Sequence, residues 1–435
     1  MHVSYEPVRG FRDYIPPESE FLTWICQTFA EVVKRFGYIE IRTPTIESFQ
    51  LFALKSGEEI RESMFVFKDK AGREVALRPE ITPSIVRVYL KELRHWSKPI
   101  RIYYIGNVFR YDEPQFGRYR EFTQAGVEIL GGDEVYYDVE LIELLEEFYD
   151  AIDLKNRRYK VNNVGIFREL ANRAGLEDND VDRLLHYLDK GMYNKAVELF
   201  IARGSYEEAK ILETLAILKS ESQDTMNILK EVLSSIKDDN RITRHVELLE
   251  RYIEMVRGIG ANVIVEPLFA RGIAYYTDII FEVVVPSMSI SIAGGGRYNN
   301  LTTIYGGENL STTGFAIGVE RTMLALMNKG IKSVPLHRKR VLILLLIDDV
   351  KAYTKTYNIA KELRNKGFTI QLEVPSSVSK LSRWLEYASK YSFKYVIIIG
   401  RKELEKNVAT VKDMEKWSQE EVEIERLSER LIEKE

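Results

Sequence analysis

The chain has 435 residues, is 45% hydrophobic and carries a formal net charge of −4, which gives length for two or three domains that each bury a core. Its longest apolar run, Val341 to Ile347, is far too short to cross a bilayer, and Glu6, Arg9, Arg12 and Asp13 stand where a leader would be apolar. The single cysteine, Cys26, cannot close an intramolecular disulfide, so a protein of the reducing cytoplasm is expected rather than a secreted or membrane-spanning one.

Apolar residues at three- and four-residue spacing predict an amphipathic helix from about Glu18 to Phe36. Gly37-Tyr38-Ile39-Glu40-Ile41-Arg42-Thr43-Pro44 then reads as a helix end and a short strand closing on proline. Residues 107–128, NVFRYDEPQFGRYREFTQAGVE, alternate like a hairpin that turns at Pro114 to Gly117. Guanidinium forks such as Arg110 and Arg118 bind phosphate bidentately and stay charged, and a ring such as Phe122 offers a purine one face. A helix near Glu134 to Ile152 and a strand near Tyr159 to Asn163 precede a block, Phe167 to Val256, that is helical almost throughout and reads as an insertion.

Strands resume at Val263 to Val265, Ile279 to Val285 and Met288 to Ile292, the last ending in the glycine run Gly294 to Gly296. Gly314 to Arg321 is a small-residue strand running into an apolar helix, and the hydrophilic stretch Asn328 to Arg340 is a linker. Beyond it the order is β-α-β-α-β: Val341 to Ile347, a helix to Lys366, Phe368 to Val374, a helix from Ser379 to Lys390, and Tyr395 to Ile399. Val408 to Val411 is expected as an edge strand before a charged terminal helix. From Arg338 onward basic residues outnumber acidic ones, so this end is positive while the rest is negative. The five histidines are dispersed without metal-ligand spacing, and no zinc is expected.

Three of these segments resemble, in order, the signature motifs of class II aminoacyl-tRNA synthetases: Gly37 to Pro44; Phe109-Arg110-x-Asp112 with Arg118 to Phe122; and Gly314-Phe315-Ala316-Ile317-Gly318-Val319-Glu320-Arg321. Within that class the chain is similar to the histidyl-tRNA synthetase family, from Arg9-Gly10-Phe11-Arg12-Asp13 to Val411-Lys412-Asp413-Met414. The likeness is carried by Leu77-Arg78-Pro79-Glu80-Ile81-Thr82-Pro83, Gln124-Ala125-Gly126-Val127-Glu128, Arg271-Gly272-Ile273-Ala274-Tyr275-Tyr276 and Ala293-Gly294-Gly295-Gly296-Arg297-Tyr298. The resemblance implies an α+β fold, an antiparallel catalytic sheet flanked by helices, with a helical insertion and a C-terminal α/β anticodon-binding domain. The expected divisions are 1–165 and 258–328 for the core, 166–257 for the insertion and 338–435 for the last domain.

It also implies activation of histidine by ATP, transfer to the 3′ end of tRNA(His), Mg²⁺ as companion of ATP, and a homodimer with the segment through Pro44 at its interface. Arg271 and Arg110 are the expected α-phosphate ligands, Arg118 reaches the γ-phosphate, Phe122 and Arg321 cover the adenine, and Asp112 belongs to the same ATP site. Glu80, Thr82 and Gln124 are expected at the substrate amino group, while Glu128, Tyr275, Tyr276, Arg297 and Tyr298 complete the histidine pocket. Glu113 and Gln115 are candidates for the acceptor end of tRNA, with Lys380, Arg383 and Lys412 on the C-terminal domain. Ala274, Asn299 and Thr123 depart from the family's usual residues. The competing reading is a regulatory subunit of ATP phosphoribosyltransferase, which binds histidine without charging tRNA.

Overall fold

Glu18 and Glu20 open the first helix and Lys34 and Arg35 close it, so charge at each end opposes the helix dipole. The helix spans Glu18–Arg35 and buries Phe21, Ile25, Phe29, Val32 and Val33, the face its spacing predicts. In the computed structural model, residues 5–56, 58–217, 225–234, 236, 240–271, 275–331, 334, 340–375 and 381–433 are described. The chain forms two units, Met1–Ile331 and Lys332–Glu435.

The strands of the first unit are β1 (Ile39–Glu40), β2 (Ile46–Ser48), β3 (Val66–Lys68), β4 (Glu74–Leu77), β5 (Ile100–Phe109), β6 (Glu121–Leu130), β7 (Arg158–Asn163), β8 (Val263–Val265), β9 (Ile279–Val284), β10 (Ala293–Arg297) and β11 (Thr312–Gly318). Eight of them form one sheet in the order β1-β5-β6-β11-β10-β9-β7-β8, and β2-β4-β3 form a small second sheet. The five strands from β5 to β9 in that order pair antiparallel, and parallel pairs occur only at the ends, β1 with β5 and β7 with β8. Between β7 and β8 the described residues form helices Gly165–Arg173, Asp178–Asp189, Tyr193–Ala202, Tyr206–Ile217, Thr225–Ser234 and Asn240–Gly258. Behind the sheet, Phe29 of the first helix meets Phe148 and Phe315 edge-on, with ring centroids 5.4 and 6.2 Å away.

Met288 to Ile292, expected as a strand, is loop, and β10 is instead the glycine segment Ala293–Arg297. Glycine weakens most strands, but here it is required by crowding: a Cβ on Gly295 would stand 2.2 Å from the Gly314 carbonyl oxygen.

The second unit contains β12 (Arg340–Leu345), β13 (Thr369–Glu373), β14 (Tyr395–Ile399), β15 (Val408–Asp413) and β16 (Ser418–Glu423), in the order β13-β12-β14-β15-β16. The β13-β12-β14 part is parallel, and β15 and β16 are antiparallel. Val408 to Val411 is therefore interior, because β16 covers it with Val422 buried between exposed Glu421 and Glu423, and the expected charged terminal helix follows at Leu427–Glu433. Helices Val350–Asn365 and Leu381–Lys390 complete the α/β layers. Among the described residues no helix is long and apolar enough to cross a membrane.

Candidate active site

Strand alternation places Phe122, Gln124 and Glu128 on one face of β6, and all three line a cavity of about 550 Å³ above the sheet. The register sets its floor. A row runs across five strands from Tyr104 to Gly126, Ala316, Gly294 and Glu282, small residues at its centre and polar ones at its ends.

At one end lies Glu128, 1% exposed. Its carboxylate accepts hydrogen bonds from Thr82 Oγ1 at 2.6 Å, from the Tyr104 hydroxyl at 3.1 Å and from the Tyr298 hydroxyl. Two glycines make this possible. Opposite Tyr104, Gly126 lets the phenol ring lie across the sheet; opposite Glu128, a Cβ on Gly314 would be 1.8 Å from Oε2. Burial pushes the Glu128 carboxyl up to about 8, although the three hydroxyl donors oppose that shift. Tyr275, Tyr276 and Tyr298 wall this end, with centroids 5.1 Å apart for the first pair and 5.2 Å for Tyr275 and Tyr298. Tyr275 donates to Glu80 at 3.3 Å, and Gln124 accepts the Ile81 N–H at 3.2 Å.

The other end is cationic. Arg271 lies over Gly294, where a Cβ would meet its Nη1 at 1.7 Å, and donates to Glu282 at 3.0 Å; its Nε is buried without a hydrogen-bond partner among the described residues. Arg110 donates to the Pro79 carbonyl at 3.1 Å and stacks 5.4 Å from the Phe122 ring centre. Arg321 donates to the carbonyls of Gly117 and Ser291 at 2.9 and 3.0 Å. Burial, then Arg110 and Arg118 nearby, pull the Arg321 guanidinium down to about 10, the mark of cations gathered to meet an anion.

Of the residues expected from sequence, Glu80, Thr82, Arg110, Asp112, Arg118, Phe122, Gln124, Glu128, Arg271, Tyr275, Tyr276, Tyr298 and Arg321 all line this one cavity. Arg297 does not. It sits on the opposite face of β10, where its guanidinium is spent on Asp138 at 2.8 and 3.0 Å, the Gly132 and Glu134 carbonyls and Ser311. Thr82, expected at the amino group, donates a hydrogen bond to Glu128 at 2.6 Å, which leaves its oxygen able to accept. Glu113 and Gln115 are exposed on the loop after β5, and Glu113 pairs with Arg9 at 2.7 Å. Arg383 is exposed on its helix, Lys412 lies 5.3 Å over the Trp417 ring, and Lys380 and Ala274 fall outside the described residues. Asn299 accepts from Ser311 Oγ and Thr312 N, closing the turn after β10. Thr123 gives its N–H to both oxygens of Glu320 at 2.9 Å.

Sequence reasoning did not select Tyr104, Glu282, Tyr119 or the Asp189–Lys190 corner of the helical block, which also contribute to the site or its lining. The signal for Tyr104 and Glu282 was register: both share a cross-strand row with glycine. Glu320, within the third motif, is 3% exposed, and burial pushes its carboxyl up to about 7.

Two family profiles cover the chain, histidyl-tRNA synthetase over residues 10–322 and anticodon binding domain over residues 334–434. A histidine–tRNA ligase of Sulfolobus acidocaldarius is 44% identical over 432 residues, 98% of each chain, and one of Sulfurisphaera tokodaii is 43% identical over 417 residues, 95% of each. The solved histidyl-tRNA synthetase of S. aureus superposes with a TM-score of 0.69 at 26% identity, covering 98% of this chain and 100% of that one. The enzyme from Nostoc sp. shares the fold at a TM-score of 0.82, with 19% identity and 100% of both chains covered. With its motifs, its sheet and a profile match over most of its length in agreement, the chain belongs to the histidyl-tRNA synthetase family.

Proposed function

We propose that this chain ligates histidine to tRNA(His): the histidine carboxylate attacks the α-phosphorus of ATP, pyrophosphate leaves, and a ribose hydroxyl at the tRNA 3′ end then takes the histidyl group as AMP departs. The observation that carries the reading is one cavity with a buried carboxylate in a tyrosine wall at one end and Arg110, Arg118, Arg271 and Arg321 at the other. No protein nucleophile is required, because positioning and charge stabilisation drive in-line transfer at phosphorus.

Glu128, held by Thr82, Tyr104 and Tyr298, faces the imidazole, and the rings of Tyr275 and Tyr276 close around it. Glu80 and Gln124 bring acceptor oxygens to the α-ammonium group. Arg271 and Arg110 grip the α-phosphate and the attacking carboxylate, Arg118 meets the γ-phosphate, and adenine lies between Phe122 and Arg321. The buried Nε of Arg271, without a partner among the described residues, is a donor available to such an oxygen. Mg²⁺ enters with the triphosphate, whose oxygens supply most of its ligands and whose charge it neutralises. Glu282, on the cavity floor beside Arg271, is the carboxylate suited to share it.

Glu113, Gln115, Arg383 and Lys412 remain candidates for tRNA contact, the first two by exposure on the loop and the others in the anticodon-binding unit. The working form is a cytoplasmic homodimer joined through the segment ending at Pro44; a monomer in sedimentation at micromolar concentration overturns that part. A regulatory, non-charging role is disfavoured because full-length relatives are named as ligases and the anticodon-binding match is present. Histidine-dependent ATP–pyrophosphate exchange, followed by transfer of labelled histidine to tRNA, tests the whole reading. Histidine binding with neither activity would reject it.

A further inference from the structure

The β5–β6 hairpin closes where Arg110 N donates to Arg120 O at 2.9 Å, and the loop beyond it exposes Asp112, Glu113, Gln115, Phe116 and Arg118. Its own backbone supplies one bridge, Gln115 with Arg118. A segment so open does not hold a guanidinium in place by itself.

We propose that the segment Arg9–Tyr14 is a strut that positions this loop, and with it Arg118 and Tyr119, at the nucleotide end of the cavity; the inference rests on reading that end as the ATP site. The strut reaches the loop's beginning through Phe65 and touches its middle and end directly. Phe11 packs 5.8 Å from Phe65, which in turn meets Tyr111 at 5.0 Å. Arg9 pairs with Glu113, a contact of small energy because both side chains are exposed. Gly10 carries the main load: its carbonyl accepts the Arg120 N–H at 2.9 Å, its φ is +87°, and a Cβ there would stand 2.6 Å from Arg120 Cδ and 3.1 Å from Pro114 Cγ. Both the backbone conformation and the close approach therefore call for glycine. At the loop's end, the Tyr14 ring meets Tyr119 edge-on at 6.4 Å and 88°. The Tyr14 hydroxyl is buried with no hydrogen-bond partner among the described residues, so the ring itself is what braces Tyr119.

None of the strut residues lines the cavity, so they act through the loop. A strut of this kind affects one substrate and not the other, since Glu128 and the tyrosine wall belong to β6 and to residues 275–298. Three variants of the full chain separate the cases: Gly10→Ala, Tyr14→Ala and Tyr14→Phe. In pyrophosphate exchange, Gly10→Ala and Tyr14→Ala raise KM for ATP about tenfold and leave KM for histidine within about twofold, while Tyr14→Phe matches the parent. Trypsin cuts the first two faster after Arg118 in the absence of any ligand. Equal shifts in both KM values, unchanged kinetics, or an unchanged cleavage rate in Tyr14→Ala overturns the strut. Should Gly10→Ala fail to fold, the two Tyr14 variants still decide. An inactive parent chain would reject the ATP-site reading instead, and the trypsin comparison would still judge the strut.

Discussion

Replacing Glu128 by Gln removes a buried ionisable carboxyl while keeping the size of the side chain, and its consequences separate into stability and binding. Burial raises the Glu128 carboxyl from 4.5 to about 8. An unfolded chain sheds this proton near pH 4.5, whereas the folded one keeps it to about pH 8, so the stability present below pH 4.5 is lost as pH rises through that window. The loss is on the order of 5 kcal/mol at most, at 1.36 kcal/mol for each pH unit. Glu128→Gln has no such proton, so its stability relative to the parent climbs between pH 5 and about 8 and is flat above.

Binding moves the other way, since an imidazole N–H that meets a carboxylate gains a charge-assisted bond. Its loss costs about 1.5–3 kcal/mol, or a rise of about 10- to 100-fold in KM for histidine, with KM for ATP nearly unchanged. The assay is pyrophosphate exchange against histidine concentration, alongside melting of both proteins from pH 5 to 9. A KM for histidine within about twofold of the parent, or parallel stability profiles for the two proteins, would refute the placing of Glu128 against the ring.

Arg271→Ala slows histidine activation by about 100-fold or more with little change in melting temperature, measured by single-turnover adenylate formation. Arg297→Ala leaves Asp138 buried without its partner and costs about 3–5 kcal/mol of stability; denaturant unfolding reads it, and a histidine KM raised at unchanged stability would return Arg297 to the pocket. Gly314→Ala drives a methyl group into Glu128, so exchange activity collapses, and full activity in that variant would contradict the register of β6 and β11.

The helices near Glu18, Glu134 and Val350 were legible because each carries a periodic apolar face long enough to outweigh local noise. β10 was not, because glycine there answers to crowding between strands, a property of the assembled sheet. The same gap misled the reading of Arg297: it lies next to Tyr298 in sequence, but strand alternation sends it to the far face, toward Asp138. Motif resemblance found residues that line the cavity. Tyr104 and Glu282 escaped it, since their place follows from which residues stand opposite Gly126 and Gly294. β16 was not legible, because its acidic residues leave one buried apolar residue, Val422, to mark a strand, whereas the charged terminal helix expected there lies just beyond it at Leu427–Glu433.

Among the described residues β16 is an edge strand of the C-terminal sheet, the kind of strand along which another extended chain can pair. It is six residues long and carries Glu420, Glu421 and Glu423. Two copies approaching rim to rim would bring like carboxylates together before any ladder formed, and Arg430 is already occupied in bridging Glu420. The carboxylates thus disfavour edge-to-edge pairing of two copies along β16.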